Sequence, residues 1–224
     1  MSESDVNREQ SAQPELLSSQ LKSATQDVHD QAENSDFMAR LLAGKLDVAA
    51  AIDFTAQLWF VYSALESAAR ATSETSEMSA IFDPRLERVE KLEADLAAMC
   101  EGSDVPWRER LVATPETEEY AARLRSLGEE GDGAALVAHH YVRYLGDMAG
   151  GQVIAAMFKK HYGLNDDAVT FYNFDELGKI KPYRDQYREK LDSIQLDQQT
   201  RAHILDEAVK AFQLNTAMFA SLQN

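Results

Sequence analysis

The chain has 224 residues, 45% of them hydrophobic, which suits one substantial core and is short for two independent domains. Its formal net charge of −16 argues against a nucleic-acid partner, because binding to phosphates requires a basic surface. The single cysteine, Cys100, excludes an intramolecular disulfide framework, and no apolar run approaches the ~20 residues of a membrane span. We therefore expect a cytoplasmic, monomeric protein without a membrane anchor.

The first part of the chain divides into a polar extension and two helices. Residues 1–14 are polar and lack periodicity, so we expect a disordered extension there and one domain over 15–224. Apolar residues at helical spacing predict a helix over 16–34 and a short helix over 36–43.

Capping residues mark the starts of the next helices. Asp and Thr side chains accept hydrogen bonds from first-turn amides, and proline fits the first helical position because it has no N–H to lose. The predicted helices run from Asp47 to about Thr72, from Asp83 and Pro84 to near Gly102, over 115–127 after Thr114, from Asp132 to Gly163, and over about 179–193 and 197–222. Sustained helical periodicity without strand patterns predicts an all-α, single-domain helical bundle.

Three glycines, Gly146, Gly150 and Gly151, interrupt the long helix predicted over 136–162. Each should cost roughly 0.5–1 kcal/mol against alanine, so the cluster needs a compensating reason. Close approach by a ligand is one reason, and packing against another helix explains the glycines almost as well. Asp147 lies inside the cluster, and its spacing from Arg143 fits either a surface ion pair or a buried network.

The histidines favour a single-histidine metal site. No Glu-x-x-His pair of a di-iron bundle and no HExxH motif is present. One histidine suits a metal that a macrocycle already holds. The best candidate is His29, which shares a helix stripe with Lys22, Thr25 and Glu33, although a solitary histidine is more often a hydrogen-bonded structural residue.

Positive charge in this acidic chain is concentrated near its C-terminal part. Arg184 and Arg188 lie one helical turn apart and could bind the carboxylates of a ligand. The alternative is a solvated basic face that pairs with Asp185 and Glu189. The other basic residues of this stretch are Lys179, Lys181 and Lys190.

Three sequence elements resemble the haem oxygenases. HHYVRYLGDMAGGQVIA at 139–155 is similar to the distal helix of that family, LKSATQDVHDQAENSDFM at 21–38 to its proximal helix, and YRDQYR at 183–188 supports both. The resemblance extends from about Leu21 to Phe219. It implies a helical bundle in which haem is sandwiched between the proximal helix and a kinked, glycine-rich distal helix.

The resemblance also implies roles for individual residues. His29 would be the axial iron ligand, with Thr25 and Glu33 beside it. The distal residues would be Gly146 and Gly150 at the kink and Asp147, Tyr62 and Arg143 in a water-ordering network; Lys22, Tyr141, Arg184 and Arg188 would contact the haem propionates; and Phe212, Asn215 and Phe219 would line the pocket. Core packing explains the last three nearly as well.

The reaction implied by the resemblance is cleavage of haem b, which is both substrate and cofactor, to biliverdin, ferrous iron and carbon monoxide. Oxygen attacks the α-meso carbon, and electrons come from an external NAD(P)H-dependent reductase or ferredoxin. Iron acquisition from haem is the expected purpose. Many relatives have serine where this chain has Ala149, so one distal hydroxyl is missing. A haem carrier or gas sensor remains an alternative, whereas a thiaminase-type enzyme would need a nucleophile that Cys100 is poorly placed to provide.

Overall fold

The computed structural model describes residues 15–33, 35–102 and 106–222, and over these ranges the chain is helical without a strand. The extension predicted over residues 1–14 lies outside the described residues. The α-helices of the described part are α1 (Leu17–Glu33), α2 (Asp36–Leu42), α3 (Val48–Ala71), α4 (Val89–Met99), α5 (Trp107–Arg110), α6 (Pro115–Glu130), α7 (Gly133–Tyr162), α8 (Ile180–Asp192) and α9 (Gln198–Ser221). Short 3-10 turns occupy Met78–Ala80, Pro84–Leu86, Asp166–Ala168, Thr170–Tyr172 and Asp175–Leu177.

Three of the predicted caps are confirmed by their hydrogen bonds. Asp47 accepts from the amide of Ala50 at 3.1 Å. Thr114 accepts from Thr117 at 3.2 Å, and Asp132 accepts from Ala135 at 2.9 Å. Each cap satisfies an amide that has no partner within its own helix, which is why these starts can be recognised from the sequence.

The helix predicted from Asp83 to near Gly102 is wrong in its first part. Asp83 caps only the 3-10 turn that follows it, and α4 begins at Val89. The cause is a buried carboxylate from another helix: Glu66 of α3 accepts from the amides of Arg88 and Val89 and so caps α4 from outside. Arg88 is fully buried and donates to backbone carbonyls of the preceding turn, which holds the break in place.

Helix α6 runs three residues beyond the predicted end at 127 and stops at Glu130, with Gly131 in the left-handed conformation. Gly128 lies inside the helix. A Cβ atom there would lie 2.9 Å from Cα of Ala68, so this glycine allows α6 to pack closely against α3. Gly128 is therefore explained by helix packing, and α6 continues past this glycine to Glu130.

The packing of the long helices places a cleft near α1, α7 and α9. Helix α3 packs against α4, α6 and α7, and α9 packs against α1, α6 and α7. Buried apolar side chains from α1 to α4 and from α6 to α9 join one core. The bundle thus holds the helices that carry the predicted site residues in fixed relation to one another.

Among the described helices, α3 alone is long and apolar enough to cross a membrane by length and composition, with a mean hydropathy of 1.4. The sequence was not expected to contain such a run. Of its most apolar stretch, 56% is buried inside the fold, and buried core helices pass the same test. The finding is therefore weak support for a membrane span.

Candidate active site

Two adjoining cavities form a cleft between α1, α7, α8 and α9. The outer cavity, here called the mouth, has a volume of about 340 Å³, and the inner cavity, here called the inner end, about 160 Å³. They meet at His29, Val142, Gly146 and Phe212, which line both. The mouth is also lined by Ser18, Ser19, Lys22, Thr25, Gln26, Tyr141, Leu145, Ala149, Arg184 and Arg188, and the inner end by Ala32, Met38, Phe54, Leu58, Arg143, Asp147, Gly150, Ile154, Phe171, Tyr172, Asn215 and Phe219.

His29 lies on the α1 side of the cleft, where the two cavities meet. Its side chain is 42% exposed, and its ring packs edge-on against Phe212 with 5.5 Å between ring centroids. Thr25 is buried one turn earlier and donates to the carbonyl of Leu21 at 2.8 Å. The predicted role of the Glu33 side chain lies outside the described residues. Helix α1 therefore presents one imidazole to the cleft.

The remaining histidines do not form a metal site with His29. Within the described part of the chain, no three His, Cys, Asp or Glu side chains group as metal ligands. His139 Nε2 lies 3.0 Å from Glu207 Oε1, and His203 Nε2 lies 2.8 Å from Asp132 Oδ2. Arg123 of α6 also donates to Glu207 at 2.9 and 2.8 Å. These contacts tie α6, α7 and α9 together.

The three glycines of α7 serve two different purposes. A Cβ atom at Gly146 or Gly150 would meet no atom within 4 Å apart from the adjacent backbone of α7, and both positions line the cleft. A Cβ at Gly151 would lie 2.9 Å from Cδ1 of Tyr172. Gly146 and Gly150 thus keep the cleft open, whereas Gly151 allows close packing. The helix is continuous through all three, and the bend expected there stays a prediction.

A buried polar network closes the inner end. Tyr62 of α3 donates a hydrogen bond to Asp147 of α7. Arg143 donates to the Tyr62 hydroxyl at 3.3 Å and to Asn215 Oδ1 of α9 at 2.7 Å, and its Nη2 lies 3.8 Å from Asp147 Oδ1. The Arg143 and Asp147 side chains are only 8% and 14% exposed. The pair is therefore part of a buried network and not a surface ion pair.

Burial and charge set the protonation of this network. Burial raises the pKa of Asp147, and the positive charge of Arg143 opposes the shift. Burial also raises the pKa of Tyr62 well above its usual range, so its hydroxyl keeps its proton. Burial alone would lower the pKa of Arg143, but neighbouring Tyr62 and Asp147 raise it. Arg143 consequently remains a cation among oxygen atoms.

The mouth is lined by cationic side chains from two helices, Lys22 of α1 and Arg184 and Arg188 of α8, together with Tyr141 of α7. Arg188 pairs with Asp185 at 3.1 Å. The Nε atom of Arg184 is buried and has no hydrogen-bond partner among the described residues. Burial and the charge of Arg188 lower the pKa of Arg184.

The pairing expected for a solvated basic face therefore holds for Arg188 and fails for Arg184. Arg184 lines the mouth, and its Nε–H group has no acceptor among the described residues. The neighbouring Lys179, Lys181 and Lys190 are exposed and line neither cavity. The basic stretch thus divides into two arginines at the mouth and three lysines outside it.

Two lining residues of the inner end, Phe171 and Tyr172, were missed in the sequence because they come from the irregular stretch before α8. Buried Asp95 of α4 holds that stretch: it accepts from the amides of Thr170 and Phe171 at 2.7 and 2.9 Å and from the Thr170 hydroxyl at 2.6 Å. Phe171 in turn packs edge-on against Tyr62 at 5.2 Å. No local pattern signals this wall, because its anchor is 75 residues away.

Comparisons with known proteins agree with this geometry. The family profile described as Heme oxygenase matches residues 15–221. The chain is 35% identical to Heme oxygenase 1 of Gallus gallus, over 92% of this chain and 70% of that protein, and 33% identical to Heme oxygenase 1 of Synechocystis, over 92% and 85%. The fold is similar to heme oxygenase-1 of Synechocystis solved in complex with heme (TM-score 0.86, 33% identity, 92% of both chains) and to heme oxygenase of Leptospira interrogans (TM-score 0.83, 28% identity, 91% of this chain and 98% of that one). The chain belongs to the haem oxygenase family.

Proposed function

We propose that the cleft binds haem b and that the protein cleaves it at the α-meso carbon to biliverdin, ferrous iron and carbon monoxide. The observation that carries the proposal is the cleft itself. One imidazole and two glycines that leave open space line the cleft, and an arginine whose Nε atom has no acceptor among the described residues lies at the mouth. A flat macrocycle with anionic substituents at one edge suits this arrangement.

The residues present fit haem in three respects. His29 would hold the haem iron through one imidazole nitrogen, as the single histidine among the described residues that lines the cleft. Gly146 and Gly150 allow the α7 backbone to approach the macrocycle, since neither has a side chain in the cleft. Arg184 and Arg188 suit carboxylates, because a guanidinium donates directional hydrogen bonds to them.

Haem bound in this cleft would supply both the iron that activates oxygen and the meso carbon that is oxidised. Gly146 and Gly150 would influence the reaction by leaving space in the cleft. Side chains at these two positions would fill part of the cleft, so their absence would leave space for oxygen beside a bound haem. The glycines would thereby select the carbon that is attacked.

Asp147 is the residue to which we assign proton delivery. The Tyr62 hydroxyl keeps its proton and donates a hydrogen bond to Oδ2 of Asp147, which fixes the carboxylate in one orientation. Asp147 lines the inner end and can order water there, and the positive charge of Arg143 opposes the rise in the Asp147 pKa that burial causes. We assign Asp147 as the organiser of a water chain that delivers protons.

The electrons for this reaction would come from an external donor, an NAD(P)H-dependent reductase or a ferredoxin. We further propose that the activity releases iron from acquired haem. The cationic residues near the mouth, in an otherwise acidic chain, support docking of an acidic donor at this edge.

Turnover of haemin tests the proposal. Purified protein is mixed with haemin, a reductant such as ascorbate is added, and the visible spectrum is followed together with a colorimetric assay for ferrous iron. We expect the Soret band to disappear while biliverdin and ferrous iron form. A stable oxygenated complex that only autoxidises would contradict the proposal and favour a haem carrier or gas sensor.

A further inference from the structure

Helix α8 carries the two arginines of the mouth but has little apolar surface with which to dock. Only Tyr187 and Leu191 of its side chains are buried. A helix usually holds its place in a bundle through a broad apolar stripe. The position of α8 must therefore depend on other contacts.

Three polar anchors tie α8 to three different elements. The Tyr183 hydroxyl donates to Asp83 at 2.8 Å, before the turn that leads to α4. The Tyr187 hydroxyl is hydrogen-bonded to Nδ1 of buried His140 of α7 at 2.8 Å, and the two rings are parallel within 3°. These two tyrosines are one turn apart, so they lie on one face of α8.

The third anchor joins α8 to the helix that carries His29. Asp192, the last residue of α8, accepts from the amide of Ser18 at 2.7 Å and from its hydroxyl at 2.8 Å. Ser18 lies in the first turn of α1, whose amides lack partners within the helix. A carboxylate from α8 thus caps α1, and it does so one turn before Lys22.

The anchors and the arginines are adjacent in sequence. Arg184 follows Tyr183, and Arg188 follows Tyr187, so each arginine points about 100° around the helix from an anchored tyrosine. Any rotation or slide of α8 that broke an anchor would also move the guanidinium groups at the mouth. The anchors therefore determine where the arginines lie relative to His29.

We propose that Asp192 and Tyr187 are positioning residues that set the in-plane orientation of the tetrapyrrole and thereby the meso carbon that is cleaved. The inference rests on the haem site proposed above. A planar ring held at its centre by His29 can still rotate within its plane. Contacts between its anionic substituents and Arg184 and Arg188 would stop that rotation, so the placement of α8 would decide which edge of the ring lies near the glycines.

A binding comparison tests this positioning without turnover. Wild type, Asp192→Ala and the control Glu189→Ala, which removes an exposed charge from the same helix, are each titrated with haemin and with haemin dimethyl ester, which lacks the carboxylates. For Asp192→Ala we expect the Kd for haemin to rise by about threefold to tenfold, consistent with loss of charge-assisted contacts, and the Kd for the ester to stay within about twofold of wild type. An equal rise for both ligands, or none for either, would overturn the proposal.

Product analysis provides the second arm. We expect chromatography to show one biliverdin isomer from wild type and Glu189→Ala, and a mixture from Asp192→Ala and Tyr187→Phe. Asp192→Asn keeps an acceptor for Ser18, so its product should be mostly the wild-type isomer. This variant also keeps the test decisive if Asp192→Ala fails to fold. The wild-type isomer alone from all folded variants would refute the positioning role. A wild type that makes no biliverdin would refute the proposed function, while the titrations would still decide the role of Asp192.

Discussion

The mouth and the inner end of the cleft both contain arginine, but the two arginines differ in their hydrogen-bond partners. Arg143 at the inner end donates to Tyr62 and Asn215 and lies near Asp147. Arg184 at the mouth has a buried Nε without a partner among the described residues, and a second arginine next to it. Buried polar groups are nearly always hydrogen-bonded. The hydrogen bonds of Arg143 at the inner end are therefore made within the protein, whereas the Nε atom of Arg184 at the mouth is available to an acceptor on a ligand.

Because of this difference, we expect substitutions at the mouth to affect mainly haem binding and substitutions at the inner end to affect mainly turnover. Removing a side chain of the mouth should weaken haem binding, because it removes a contact that only the ligand makes. Removing a side chain of the inner end should change turnover more than binding, because its contacts exist before the ligand arrives. His29 lies at the junction and should affect both.

The largest effect is expected from His29→Ala, which removes the imidazole that both cavities share. Biliverdin formation should fall by more than about 100-fold, because changes that only disorient a metal ligand already cost about 10–100-fold. The Soret spectrum of the haemin complex should also change. The control His161→Ala removes an exposed histidine from α7 and should behave as wild type. An unchanged spectrum in His29→Ala would refute the ligand assignment.

Asp147→Ala should separate chemistry from binding most clearly. We expect the rate of biliverdin formation to fall by about 100-fold, as for loss of positioned proton transfer, while the Kd for haemin stays within about twofold of wild type. Tyr62→Phe, which removes the hydroxyl that joins Asp147 to Arg143, should show a smaller loss of the same kind. Wild-type biliverdin yield from Asp147→Ala would show that the carboxylate is dispensable.

Arg184→Ala should have the converse effect at the mouth. Losing charge-assisted hydrogen bonds to a ligand carboxylate should raise the Kd for haemin by about tenfold, while the ester analogue binds as before. Titration of Lys190→Ala, which removes an exposed cation from the same helix, should give the wild-type Kd. If both variants weakened binding equally, general electrostatic attraction would explain the mouth and a specific contact would not.

The smallest effects concern the stability of the ligand-free protein. Gly146→Ala adds a Cβ in open space, so better helix propensity should raise the free energy of unfolding by roughly 0.5–1 kcal/mol. Gly151→Ala places a Cβ 2.9 Å from the Tyr172 ring and should lower it by about 1 kcal/mol or more. Urea unfolding of both variants measures the difference. Equal stability changes would contradict the division of the glycines into open and packed positions.

The sequence predicted those features whose causes are local. The caps at Asp47, Thr114 and Asp132 act within one turn of their helices, so spacing alone identifies them. The stripe that includes Lys22, Thr25 and His29 follows from helical periodicity, and these residues do line the cleft together.

Features with distant causes could not be predicted. Helix α4 starts late because Glu66 caps it from α3. The wall of the inner end depends on Asp95, and the position of α8 on Ser18 and His140. Each of these contacts joins residues far apart in the chain, and no spacing rule connects them. The spacing of Arg143 and Asp147 fitted either a surface ion pair or a buried network for the same reason. Only the burial of both side chains in the fold distinguishes the two.

A crystal structure of the haemin complex would test the central claim most directly. We predict that the iron is bound by His29, that Gly146 and Gly150 face the opposite side of the ring, and that a propionate accepts from the Nε atom of Arg184. A haem held by another histidine, or one with its propionates directed away from Arg184 and Arg188, would contradict the account.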